Sequence, residues 1–282
     1  MTNFQGFRGL DWSIDDSSLN FKKLNNEEGF FVIDKYIDMD TVHTLSDELI
    51  NENNLQMKHF NILESSPEFG QVRSPFINQE EIRRYLENPI FENMTREILV
   101  GNGIFHLFNG QVVSPTTPSA SHNQSKWHRD FNKCHISNPA LSYNILLMLG
   151  EYSSLDELTS PDTYHHFDVI KNSHLCYGLP PLDPTNVFRL RVKPGSLLVF
   201  NSSLWHRVVP TDTYQLFINA MLTEPYIKQQ IEYLGTDFEW LLNNYGTCET
   251  EIARLLGYWS KAPESLSTFR KQGIRTYRSN QG

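Results

Sequence analysis

The sequence predicts a mainly β protein with flanking helices, its core an antiparallel sandwich or barrel such as a jelly roll. Three observations predict it. Six short β-rich segments follow one another without an intervening helix: 104-IFHLFNGQVV-113, 141-LSYNILLML-149, 166-HFDVI-170, 187-VFRLRV-192, 196-SLLVFN-201 and 215-QLFINAML-222. Gly, Pro, Asn, Asp or Ser separates them, which is the punctuation of turns rather than of βαβ crossovers. Helical periodicity is confined to the two ends of the chain.

Taken in order, 30-FFVIDKYI-37 reads as a buried strand opened by Gly29. Asp38 then suits a helix N-cap, and Val42, Leu45 and Leu49 recur on one helical face. Residues 51–78 carry little periodicity and read as loop. Helical pattern returns over 79–99, with Pro89 ending one helix and starting another. The Ser/Pro/Thr-rich stretch 114–125 reads as a flexible loop, placed as a lid would be. Beyond Pro225 the segments 228–234 and 249–259 are again helical, and a basic tail closes the chain at 270–278. The expected organisation is a single domain over 1–282, its β core at about 100–225 and helices packed on both sides.

Composition narrows the function. The chain is 39% hydrophobic and 12% aromatic, with a formal charge of −9. That charge is a poor match for nucleic-acid backbones, so a small-molecule partner is expected and no nucleic acid. No run of eighteen apolar residues exists to span a membrane, and the N-terminus lacks the pattern of a signal peptide. Cys134, Cys176 and Cys248 are too few and too scattered for a disulfide framework or a thiolate metal site. A reducing cytoplasm is the default location. The sequence does not reveal the oligomeric state.

The stretch 127-WHRDF-131 carries the chemistry. In a strand, residues two apart point the same way, so His128 and Asp130 can present an imidazole and a carboxylate to one point. Alone, such a pair is a weak signal, and ordinary hydrogen-bonding roles stay open to it. A third donor strengthens it: in 192-VKPGSLLVFNSSLWHRVVP-210 a Pro-Gly turn feeds an apolar strand, and His206 stands just beyond its end. Two histidines and one carboxylate from two strands form the ligand set that suits Fe(II) with open positions for substrate and oxygen. No thiolate belongs to the set, and a structural zinc site would add a fourth ligand.

At these residues the chain resembles the phytanoyl-CoA dioxygenase family of Fe(II)/2-oxoglutarate oxygenases, and is similar around WHRDF to its ectoine-hydroxylase branch. The resemblance runs over roughly 25–225: the entry 28-EGFFVIDKYIDMDTVHTL-45, the H-x-D pair, 141-LSYNILLML-149, a degenerate 169-VIKNSH-174 turn and 194-PGSLLVFNSSLWH-206. It implies a double-stranded β-helix (jelly roll, cupin-like), with His128, Asp130 and His206 as iron ligands and catalytic centre. It also implies 2-oxoglutarate as cosubstrate, molecular oxygen as oxidant and a small-molecule substrate. A carboxylate at Asp130 implies hydroxylation, or another oxidation begun by hydrogen abstraction, rather than halogenation. By the same resemblance Gln111 and Asn144 fall where family members contact 2-oxoglutarate, with plain sheet hydrogen bonding as the alternative.

One departure stands out. The family carries an Arg about ten residues after the distal His, to pair with the far carboxylate of 2-oxoglutarate. Here the strand reads 211-TDTYQLFINAML-222, with Gln215 near the expected place. Arg207, Arg189, Arg191, Lys171 and Arg73 are the candidate replacements, although Arg207 should point opposite to His206 in an extended segment. Two other functions therefore stay open: an Fe(II) oxygenase independent of 2-oxoglutarate, and a non-catalytic jelly-roll binder of a small ligand. Among the remaining residues, Trp127 and Phe131 are expected in the core, and His135, His165 and His166 on the surface or in a substrate loop. His174 is expected to make a structural hydrogen bond, and Arg73 to be a solvated loop residue, with a substrate anchor as the alternative.

Overall fold

The computed structural model describes residues 27–63, 66, 68–88, 103–115, 123–131, 141–155, 164–176, 187–224, 227, 229, 237–246 and 250–258. Two antiparallel sheets face each other. The larger has the order β1-β7-β4-β9-β3-β2, built from β1 (Phe30–Ile33), β2 (Gln71–Arg73), β3 (Ile104–Val113), β4 (Ser142–Tyr152), β7 (Leu197–Asn201) and β9 (Tyr214–Thr223). The smaller has the order β6-β5-β8, from β5 (His165–Ile170), β6 (Val187–Val192) and β8 (His206–Val208). The described helices are α1 (Met39–Phe60), α2 (Glu80–Leu86), α3 (Asp237–Tyr245) and α4 (Glu251–Leu255).

The strands of the larger sheet are apolar on both faces because both are covered. Leu45, Leu49, Val72, Phe108, Ile145 and Ile218 belong to the core between this sheet and the helices. The opposite residues Phe30, Leu146, Leu198 and Phe217 join Phe167 and Val208 of the smaller sheet to fill the space between the sheets. Bulges between Phe105 and Leu107 and between Met148 and Gly150 shift the register of β3 and β4 against β9. At the 194-PG turn, Gly195 has φ +75, and a Cβ there would lie 2.6 Å from the Ile37 carbonyl, so only glycine fits.

The six expected strands match β3 to β7 and β9, and the residues between them add β8. The expected strand at 30–37 is shorter, ending at Ile33 before a turn in which Lys35 takes φ 55.

The expected loop over 51–78 is overturned. Asp38 caps α1 as expected, its carboxylate accepting from Thr41 N at 2.9 Å, but the helix continues to Phe60 and β2 follows. Its buried face passes from Val42, Leu45 and Leu49 to Glu52, Asn53 and Gln56. The helical period persists there while the apolar signal that reports it disappears. Of the expected helix over 79–99, α2 is the described part, and Pro89 lies outside the described residues. So do most of 114–125 and 228–234, and all of the tail 270–278. No helix among the described residues is long and apolar enough to cross a membrane.

Candidate metal centre

The edge of the smaller sheet assembles the centre. His128 forms an isolated antiparallel bridge with His206, each backbone N–H donating to the other's carbonyl at 3.1 Å. Such a pair holds two side chains side by side on one face. The ring centroids are accordingly 4.3 Å apart. Asp130 arrives two residues later, fixed by its N–H donating to Ser202 O at 3.1 Å. Its two oxygens lie 3.6 Å from His128 Nε2 and 3.6 Å from His206 Nε2. One donor atom from each residue falls within 4.8 Å of the others.

Both imidazoles are turned by their second nitrogen. Nδ1 of His128 lies 2.7 Å from Lys126 O, and Nδ1 of His206 lies 2.9 Å from Leu204 O. Each carbonyl takes an Nδ1 proton, which leaves the Nε2 lone pairs directed at the shared point. Nε2 of His128 is buried without a hydrogen-bond partner among the described residues. Burial, assisted by His128, pushes His206 down to about 4 against the opposing charge of Asp130. His206 is therefore neutral near pH 7, with no proton on Nε2 for a cation to displace. These donors fit a divalent metal: two imidazole nitrogens and a carboxylate on one side, no thiolate, and a partly open other side.

A polar relay supports the carboxylate. Asn144, fully buried on β4, donates from Nδ2 to Asp130 Oδ2 and to Ser202 Oγ, each at 2.8 Å. Ser202 Oγ is in turn 2.9 Å from Ser142 Oγ. Phe200 packs against the His206 ring with centroids 4.5 Å apart. Arg129 points away from its two neighbours, donating to Ser173 O at 2.6 Å and stacking on Trp205. It pins the H-x-D segment from outside the centre. Sequence reasoning missed Arg129, Ser142 and Ser202, because nothing in their local pattern reports a contact over such separations.

The other expected site residues are placed as follows. Gln111 lies on the inner face of β3, 5% exposed, and its Oε1 has no hydrogen-bond partner among the described residues. Gln215 is buried on the inner face of β9, but its amide nitrogen donates to Val209 O at 2.9 Å and Thr211 Oγ1 at 2.8 Å. Arg207 points away from His206, as its extended backbone requires. With Arg189 it grips the buried Asp168, Arg207 Nη2 to Oδ2 at 2.8 Å and Arg189 Nε to Oδ1 at 2.8 Å. Arg191 stacks over Tyr164, and Lys171 pairs with Glu28 at 2.9 Å. Phe217, the next inward residue of β9 after Gln215, packs against Phe167 with ring centroids 5.9 Å apart.

Three expectations about single residues change. His165 is fully buried and accepts from Gly150 N at 2.9 Å, because the strand begins one residue earlier and turns it inward. Trp127 is half-buried under the Arg207 guanidinium, and Phe131 is half-buried beside His106, so neither is a core residue. His135 lies outside the described residues.

No family model matches the chain. It is 25% identical over 224 residues to uncharacterized protein Rv1501 of Mycobacterium tuberculosis and to uncharacterized protein Mb1539 of Mycobacterium bovis, covering 76% of this chain and 77% of each of them. Among solved structures, EctD from S. alaskensis with 2-oxoglutarate and 5-hydroxyectoine superposes with a TM-score of 0.54 at 16% identity, over 75% of this chain and 76% of that one. AviO1 from Streptomyces viridochromogenes Tue57 gives a TM-score of 0.52 at 15% identity, over 75% of this chain and 96% of that one. The non-heme alpha ketoglutarate dependent epimerase SnoN from nogalamycin biosynthesis gives 0.51 at 12% identity, over 76% and 84%. At these identities the likeness is one of fold, and strand order and neighbours agree on it: the chain is a double-stranded β-helix protein of the jelly-roll type.

Proposed function

We propose that this protein is a non-haem Fe(II) oxygenase that uses 2-oxoglutarate and molecular oxygen to oxidise a small-molecule metabolite, with the described residues acting as one domain. The observation that supports it most is the convergence of His128, Asp130 and His206, with both imidazoles oriented by backbone carbonyls. The fold is shared with a protein described as alpha ketoglutarate dependent and with another crystallised with 2-oxoglutarate. A bound Fe(II) would supply redox chemistry and Lewis acidity at open coordination positions.

The chain's own residues do the remaining work. His128 and His206 hold their imidazole donors at fixed angles, so binding costs little reorganisation. Asn144 keeps one Asp130 oxygen engaged and sets which way the carboxylate faces. Phe200 packs against the His206 ring and excludes water from that side. Gln111 and Asn144 are the proposed cosubstrate contacts, from their buried positions on the inner faces of β3 and β4.

A second reading rests on a specific observation. Gln215 and Phe217 supply no positive charge on the inner face of β9, and the Gln215 amide nitrogen is engaged by its own loop. An Fe(II) oxygenase that draws its electrons from the substrate would need no cation there. A metal-free binding protein is not favoured, because nothing in ligand binding alone calls for three oriented metal donors. The deciding assay is succinate release from 2-oxoglutarate by the Fe(II)-loaded chain. Iron-dependent release that disappears in His206→Ala supports the first reading. Oxygen uptake without 2-oxoglutarate supports the second, and failure to bind iron overturns both.

A further inference from the structure

Three carboxamides lie in line on the inner face of the larger sheet. Asn144 on β4 pairs with Met221 on β9, and Gln111 on β3 pairs with Phe217 on β9. Asn219 stands midway between Met221 and Phe217. Its side chain turns inward by strand alternation, since Ile218 and Ala220 belong to the core under the helices. Asn219 is thus the diagonal neighbour of Asn144 on one side and of Gln111 on the other, a relation that separates residues of an antiparallel sheet by about 7–8 Å. The line starts at the metal centre, where Asn144 Nδ2 donates to Asp130 Oδ2 at 2.8 Å.

These amides differ from the side chains around them. Leu146, Met148, Phe217 and Met221 are apolar, and Asn109, beside Asn219 on β3, has its oxygen occupied by Ser74 N at 3.4 Å. Neither Asn219 Nδ2 nor Gln111 Nε2 bonds to another described residue, and the two amide oxygens are buried without a partner among them. Neither side chain therefore helps to hold the sheet together, and the donor protons are left for a ligand. The sheet is also open here: Asn219 is half-buried, whereas every other residue of β9 from Gln215 to Thr223 is buried. The cations nearby are engaged elsewhere. Arg207 and Arg189 hold Asp168 on the outer face of the smaller sheet. Arg73, on the edge strand β2, donates to Gln71 Oε1 at 3.3 Å and interacts electrostatically with Glu68.

We propose that Asn219 is a third contact for the 2-oxo acid cosubstrate, and that the neutral amide nitrogens of Asn219 and Gln111 hold its far carboxylate in place of a cation. The proposal rests on the 2-oxoglutarate reading and deepens it. A cosubstrate that extends from Asn144 to Gln111 must cross Asn219, because the three lie on one line. A carboxylate accepts several hydrogen bonds, and each is stronger than a bond between neutral groups because the acceptor is ionised. Two amides can therefore recognise it by donor geometry without supplying a countercharge. The inner face of β9 then needs no arginine, and Phe217 can pack against Phe167 instead.

The test measures binding of two compounds to the Mn(II)-loaded full chain by calorimetry, without oxygen. One is 2-oxoglutarate; the other is 2-oxopentanoate, which has a methyl group in place of the far carboxylate. Wild type should bind 2-oxoglutarate about tenfold to a hundredfold more tightly. Asn219→Leu and Gln111→Leu should each reduce that preference severalfold while 2-oxopentanoate binding and Mn(II) affinity stay the same. Asn219→Asp, which matches the native side chain in shape, should lose the preference altogether by repelling the carboxylate, and it replaces Asn219→Leu if that variant does not fold. Arg73→Gln should keep the preference within about twofold. A preference that survives both substitutions at Asn219, or that collapses in Arg73→Gln, overturns the proposal and leaves the 2-oxoglutarate reading standing. A wild type that binds Mn(II) but not 2-oxoglutarate refutes that reading, and the proposal with it.

Discussion

Asn144 Nδ2 lies 2.8 Å from Asp130 Oδ2, joining a fully buried carboxamide of the central sheet to a carboxylate on the loop that carries the H-x-D pair. This bond holds the carboxylate in the orientation that sets one oxygen beside each histidine, and it identifies the amide's nitrogen side without ambiguity. Replacing Asn144 with Ala should weaken divalent-metal binding about tenfold to a hundredfold while the protein stays folded. Mn(II) calorimetry and circular dichroism on the same sample check it, and unchanged affinity would show that Asp130 needs no such support.

Acid should destabilise the fold well above the carboxylate range. Burial pushes His165 down to about 3, and its Nε2 accepts a hydrogen bond from Gly150 N, so the folded state keeps this imidazole neutral. Unfolding returns it to its ordinary value near 6.5. The unfolded chain therefore binds the extra proton first, and stability falls as pH drops from about 6.5 toward 3, by roughly 3–5 kcal/mol if this group acts alone. In metal-free protein His206 adds a loss of the same sign. Urea unfolding at pH 7 and pH 5 measures the slope, and His165→Gln should flatten part of it.

Asp168 holds two arginines on the outer face of the smaller sheet while its own side chain is 1% exposed. Burial alone would raise its pKa, but the hydrogen bonds and charges of Arg189 and Arg207 outweigh that and lower it. Asp168→Asn should cost about 1–3 kcal/mol, discounted for the exposure of both arginines. The midpoint of chemical denaturation reports the loss. Metal content should not change, because Arg207 points away from the centre.

Gln56→Ala removes both bonds that seal the backbone of Arg73 and strands Glu52 with one fewer donor. Destabilisation of about 1–3 kcal/mol is expected in urea unfolding. Amide hydrogen exchange should rise locally at Arg73, whose N–H loses its acceptor. A protected amide there in the variant would contradict the clamp.

Much of this architecture was legible because apolar strands with turn punctuation report themselves locally. The segments 104–113 and 187–192 match their strands to the residue, since alternation and β-branched content change abruptly at their ends. The second half of α1 was illegible for the opposite reason: Glu52, Asn53 and Gln56 occupy its buried face, and a polar stripe carries no periodic hydrophobic signal. The three-residue β8 was hidden by its brevity. His165 looked like a polar loop residue because its sequence neighbours are polar, whereas its inward direction follows from a strand start one residue earlier.

By itself the sequence determined which side chains could serve a metal, because donor chemistry and two-residue spacing in a strand are local properties. It also determined that Arg207 must turn away from His206, since alternation follows from the backbone. Only the tertiary structure decided that His128 and His206 are bridge partners, that Asn144 supports Asp130, and that Asn219 lies on the diagonal between Asn144 and Gln111. Those are facts of strand register, and register is set by pairing between segments far apart in the chain, which no local pattern encodes.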